Sequence, residues 1–184
     1  MIGLFGGAFD PPHAGHVALA RAAKDALALD RLVVLVAAAP GHKTVATPAA
    51  TRLKLARAAF PDDDVVLDEH GRTIDLLEAH PEWRGATFIV GGDEFADFLD
   101  WKRPDDVLRH VRLAVATRPG VPRGRLDRVT ARLEAPERVT FFALPPTPVA
   151  SRDLRPRLEA GEDVSGELPP AVAALIEAEG LYRR

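Results

Sequence analysis

Ile2-Gly3-Leu4-Phe5 is apolar and gives way to glycine, the pattern of a buried strand that ends in a turn. From about Ala14 to Ala28 the apolar positions recur at helical spacing, with Val17, Leu19, Ala20, Ala23 and Leu27 on one face. Leu32-Val33-Val34-Leu35-Val36 then runs without polar alternation, which predicts a strand covered on both faces, as in a parallel sheet. The alternation continues with a helix over 48–59, a strand over 65–67, a helix over 73–79 and a strand over 87–90 that ends at Gly91-Gly92. The stretch after it, which contains Trp101, predicts mostly loop. Two further strands follow at 113–116 and 139–142, and helices near 151–158 and 170–179 complete the pattern, Gly180 closing the last as a C-cap. Strands and helices that alternate at this spacing predict an α/β fold with a doubly wound, mainly parallel sheet. No repeat or low-complexity segment divides residues 1–184, and Pro145-Pro146 reads as a rigid loop, so a single domain is expected.

Composition narrows the chemistry more than the fold. At 184 residues, 47% hydrophobic and 28% charged, the chain can bury a core and is unlike disordered sequences. It has no cysteine, which excludes thiolate metal sites and cysteine nucleophiles. A net charge of −3 gives no electrostatic reason to expect nucleic acid or membrane as a partner. The arginines from Arg118 to Arg138 are interleaved with acids and read as a solvated helix with its flanks. Without a basic flank and long apolar run at the start, the expectation is a soluble, cytoplasmic protein. Oligomeric state is open, a homo-oligomer included.

In open α/β sheets ligands bind beyond the carboxyl ends of the strands. The first such loop reads Gly6-Gly7-Ala8-Phe9-Asp10-Pro11-Pro12-His13-Ala14-Gly15-His16 and runs straight into a helix. Paired glycines let the backbone approach a ligand, and the two prolines stiffen the loop before the helix. Two imidazoles three residues apart at a helix start can both donate to phosphate oxygens, where free amides already favour anions. The competing readings are a plain tight turn and a metal site, for which two ligands are too few. Asp10 is expected to serve the turn rather than a metal.

The whole string resembles the GGxFDPxHxGH signature of the nucleotidylyltransferase superfamily, and more narrowly the bacterial nicotinate-nucleotide adenylyltransferases, over nearly the full chain. The resemblance implies a Rossmann-like nucleotidyltransferase fold. Pro40-Gly41-His42-Lys43 is similar to the family's Pro-Pro-His-Lys, and Gly91-Gly92-Asp93 to its Gly-x-Asp near the adenosine; Asp93 could also cap a helix. Trp101 resembles the tryptophan that lies against the pyridine ring. Thr73 stands where the family has Tyr-Thr, with Arg72 in place of the tyrosine, and Arg118-Pro119-Gly120 resembles an Arg-Pro-Gly segment. Val149-Ala150-Ser151-Arg152-Asp153-Leu154-Arg155 is similar to the C-terminal Ile-Ser-Ser-Thr-x-Ile-Arg motif; Ser151, Leu154 and Arg155 match, while Ala150 and Arg152 depart from it.

The resemblance implies joining of ATP and nicotinate mononucleotide, with release of pyrophosphate, by direct attack on the α-phosphorus. It assigns His16, His13 and Lys43 to catalysis. Gly6, Gly7, Ala8, Phe9, His13, His16, Gly91, Asp93, Ser151 and Arg155 are assigned to ATP, with residues 151–184 completing that site. Lys43, Thr73, Trp101 and Arg118 are assigned to the acceptor. Mg²⁺ is expected as cofactor, held mainly through the ATP phosphates, with no protein-only metal site. The alternatives are nicotinamide mononucleotide or phosphopantetheine as acceptor, or a nucleotide-binding sensor without turnover.

Overall fold

The computed structural model describes residues 1–41, 44–118 and 122–183. Six parallel strands form one sheet in the order β3-β2-β1-β4-β5-β6. They are β1 (Ile2–Gly7), β2 (Arg31–Ala37), β3 (Asp64–Asp68), β4 (Thr87–Gly91), β5 (Arg112–Thr117) and β6 (Val139–Ala143). The connections carry α1 (Ala14–Leu27), α2 (Ala49–Ala59), α3 (Thr73–Ala79), α4 (Gly92–Ala96), α5 (Pro104–His110) and α6 (Arg123–Thr130). Two more helices, α7 (Ser151–Glu159) and α8 (Pro170–Ala178), follow the last strand. No described helix is long and apolar enough to cross a membrane.

The near-continuous apolar strands are explained by a core on each side. Phe5, Val34, Val36, Ile89, Ala114 and Ala116 face α1, α2 and the α7–α8 segment. Leu4, Val33, Leu35, Phe88, Val90, Leu113 and Val115 face α3 to α6. Because side chains alternate along a strand, consecutive residues enter different cores.

Two expectations are corrected. The stretch around Trp101 is not mostly loop: it holds α4, a 3₁₀ turn over Phe98–Asp100 and α5, with Phe95, Phe98, Val107 and Leu108 buried. Helices this short show too few apolar repeats to reveal a period, and Pro104 reads as a breaker although it occupies the first turn of α5, where proline is accepted. Asp93 is not an N-cap, because α4 begins one residue earlier, after Gly91. Gly180 does follow α8 with φ 61°, and Leu181 N–H donates back to the Ile176 carbonyl at 3.0 Å.

The strand order reverses direction between β1 and β4, which opens a crevice above the C-terminal end of the sheet. The loops that follow the strands meet there.

Candidate active site

The crevice has two lobes. The larger, a cavity of about 600 Å³, is lined by the loop after β1, by Gly91, Asp93 and Arg118 beyond β4 and β5, and by Leu144 to Arg155 beyond β6. The smaller, of about 130 Å³, is lined by Leu35, Arg72, Thr73, Phe88, Val90 and Trp101 among others. Gly6, Gly7, Ala8 and Glu94 line both.

The glycine loop is shaped by its own aromatics. Phe9, held at φ 52°, folds back over Gly7, where a Cβ would meet its ring at 2.8 Å. It packs edge-on against Phe5 and Phe60 and lies 5.0 Å from the His16 ring. His13 is the N-cap of α1, and its backbone N–H donates to His16 Nδ1 at 3.2 Å. That bond makes Nδ1 the acceptor, so the proton of a neutral His16 ring is on Nε2. The two rings stack with centroids 3.8 Å apart. A Cβ on Gly15 would press on the His13 ring at 3.1 Å, so glycine at this position gives that ring its room.

His13 is buried, and its Nδ1 has no hydrogen-bond partner among the described residues. Burial, reinforced by the Arg118 guanidinium and opposed by Glu167, pushes its pKa down from 6.5 to about 4. The unfolded chain protonates this ring near pH 6.5 and the native state only near 4. Stability is therefore lost as pH falls through that window, by up to roughly 3 kcal/mol from this group. Urea midpoints measured from pH 7 to pH 4 should fall more steeply for the parent than for His13→Asn, which lacks the titrating ring; equal slopes would contradict this.

Several other sequence-assigned residues line the crevice. Ser151 opens α7 and its Oγ donates to the Pro11 carbonyl at 2.9 Å; Arg155 Nη1 donates to the Asp10 carbonyl at 2.9 Å. Both line the larger lobe. Thr73 and Trp101 line the smaller one, with Trp101 half-buried against Phe88 and Phe98. Arg118, assigned to the acceptor, stands on the wall of the larger lobe and pairs with Asp93. Lys43 lies outside the described residues, as do its neighbour His42 and the Pro119-Gly120 that follow Arg118.

Asp10 does more than shape a turn. It is 1% exposed, and its carboxylate accepts from the Ala46 N–H, from Thr47 Oγ1 at 2.7 Å and from Tyr182 Oη at 2.7 Å. Its oxygens are thus committed to protein donors rather than to a metal. Among the described residues no group of three or more His, Asp or Glu side chains could hold a metal ion.

The sequence also left Arg52 unassigned. This side chain is fully buried and donates to the carbonyls of Ala8 (2.8 Å), Ala37 (2.6 Å), Ala38 (2.9 Å) and Thr47 (3.2 Å). The signal was present: Arg52, Leu55, Ala56 and Ala59 share one buried face of α2 at helical spacing, an arginine in a core position.

The cytidylyltransferase-like family matches residues 4–159. A probable nicotinate-nucleotide adenylyltransferase of Bordetella avium is 38% identical over 192 aligned positions, which cover 99% of this chain and 98% of that one. Another, from Thermus thermophilus, is 37% identical over 193 positions and covers 99% of both. The chain belongs to the nicotinate-nucleotide adenylyltransferases. A Plasmodium falciparum nicotinic acid mononucleotide adenylyltransferase, solved in complex with NaAD, has a TM-score of 0.78 over 98% of this chain and 96% of its own. At 17% identity that likeness shows the fold. For an adenylyltransferase chain, the doubly wound sheet and the two-lobed crevice at its reversal point are the parts that stand clear.

Proposed function

We propose that the chain joins ATP and nicotinate mononucleotide to give nicotinate adenine dinucleotide and pyrophosphate, in the cytoplasm. The observation that carries this reading is the pair of unequal lobes meeting at Gly6-Gly7-Ala8 beside the two stacked imidazoles. ATP takes the larger lobe and the mononucleotide the smaller, so the mononucleotide phosphate and the ATP α-phosphorus meet over the glycines. A phosphate oxygen of the mononucleotide attacks that phosphorus, the bond to the β-phosphate breaks, and pyrophosphate leaves. Catalysis is then positioning and charge stabilisation, without a protein nucleophile.

In this reading His16 donates to the α-phosphate as charge develops there. His13, whose buried Nδ1 has no partner among the described residues, positions a phosphate oxygen. Ser151, Arg155 and Lys43 meet the other phosphates, and Gly91 and Asp93 border the adenosine. Arg118, from the wall of the larger lobe, faces the nucleotide side. Mg²⁺, held mainly through the ATP phosphates, would supply further neutralisation of their charge. Thr73 and Trp101 receive the pyridine end.

The test is pyrophosphate release with ATP and Mg²⁺, offering nicotinate mononucleotide, nicotinamide mononucleotide or phosphopantetheine at matched concentrations. Release far above the rest with nicotinate mononucleotide is expected. Release with none, although ATP binds, would make the chain a sensor. Arg72 lines the acceptor lobe as an exposed cation and attracts a carboxylate over a neutral amide. Arg72→Gln should lower the nicotinate-over-nicotinamide ratio of kcat/KM by roughly fivefold, the effect of a pair worth ~1 kcal/mol. An unchanged ratio would remove Arg72 from acceptor recognition.

A further inference from the structure

The Asp10 carboxylate joins parts of the chain that are far apart in sequence. Tyr182 is 172 residues away from it, and Thr47 is 37. Other segments at this junction contribute to the larger lobe. Asp10 stands three residues before His13, Thr44 lines the cavity just ahead of Ala46 and Thr47, and Arg155, on the cavity wall, is held by the Asp10 carbonyl. The second Asp10 oxygen lies 3.9 Å from the same guanidinium.

Tyr182 is buried, and its backbone has φ 61°, a conformation that residues other than glycine seldom adopt. Strain of this kind persists only where the surroundings enforce it. Here what it achieves is visible: the phenol is delivered to Asp10 Oδ1, on the oxygen that Thr47 also uses. Burial, with the adjacent Asp10 carboxylate, raises the phenol's pKa, so it stays a donor.

We propose that Tyr182 is a positioning residue for the adenylyl transfer: through Asp10 it sets the spacing between the histidine loop, the segment at Thr44–Thr47 and Arg155. Tyr182 touches no substrate. It acts by keeping three walls of the nucleotide lobe in the relative placement that in-line attack needs, where a displacement of even an ångström costs rate. The proposal rests on the adenylyltransferase reading for its kinetic consequence and on the Asp10 junction for its geometry.

Tyr182→Phe keeps the ring and removes the donor. Well below its melting temperature it should lose about tenfold in kcat, with a much smaller change in KM for ATP. Asp10→Asn should lose at least as much, and the double variant no more than Asp10→Asn alone, because the hydroxyl acts through that carboxylate. Thr47→Val, which removes the other hydroxyl on the same oxygen, should lose rate in the same way and decides the matter should Tyr182→Phe fail to fold. Parental kcat in a folded Tyr182→Phe with only a lowered melting temperature would overturn the proposal, as would losses that multiply in the double variant. Should the parent itself release no pyrophosphate, the adenylyltransferase reading fails on its own. The junction is then judged by hydrogen exchange at the Ala46 amide, whose protection should drop about tenfold in Tyr182→Phe. Unchanged protection would overturn it.

Discussion

His16→Ala is expected to lower kcat by about 10² to 10³ while leaving the protein folded, the size of effect seen when one donor to a developing negative charge is removed. The reason lies in the constrained ring. His16 Nδ1 accepts the His13 N–H, so the remaining nitrogen of the neutral ring carries a proton, on a residue that lines the larger lobe. Alanine removes that donor and also one helix-capping contact, which costs about 1 kcal/mol of stability. Affinity for ATP should change much less than turnover, because charge gathers on the α-phosphate chiefly in the transition state. Single-turnover rates and equilibrium ATP binding, measured on the same preparation, separate the two. A variant with near-parental turnover would remove His16 from the chemistry.

Arg52→Met should instead act on stability, by about 3–5 kcal/mol, as found when one side of a buried charged network is removed. The guanidinium is fully buried and solvated by four carbonyl groups in place of water. Methionine fills much of the volume but leaves those carbonyls without their donors, each costing about 1–3 kcal/mol where water cannot enter. With roughly 2–4 °C lost per kcal/mol in a chain of this size, a melting temperature lower by about 10 °C is expected. Arg52→Lys keeps the charge but not the planar fork that spans several carbonyls, and should recover only part of the loss. A drop below about 2 °C for the methionine variant would mean that the loops do not depend on Arg52.

The fold was legible where apolar runs were long. Leu32 to Val36 could belong only to a strand covered on both faces, and the six strands lie where the runs fall. Between Gly92 and His110 the sequence misled, since three short helical pieces show no period and are fixed by packing of Phe95, Phe98 and Leu108. In the candidate site, the residues next to one another in sequence were legible because local geometry makes them work together: Gly6, Gly7, His13 and His16 line one wall. Tyr182 was not, because its role depends on Asp10, which only the folded chain brings to it. Arg52 was legible in principle as a charge on an apolar face, but its carbonyl partners lie in the loop after β1, at the end of β2 and in the connection to α2.

The two cores and the two lobes correspond. Phe5, Phe9, Ala116 and Leu144 belong to one core and line the larger lobe; Leu35, Phe88, Val90 and Trp101 belong to, or pack on, the other and line the smaller. The sheet therefore acts as a partition between the side chains that support one lobe and those that support the other. Consecutive residues such as Leu35 and Val36 enter different cores, Leu35 the one that borders the smaller lobe and Val36 the one that borders the larger. If the smaller lobe takes the acceptor, as proposed, substitutions at alternate strand positions should change acceptor choice while leaving the core beneath the larger lobe intact.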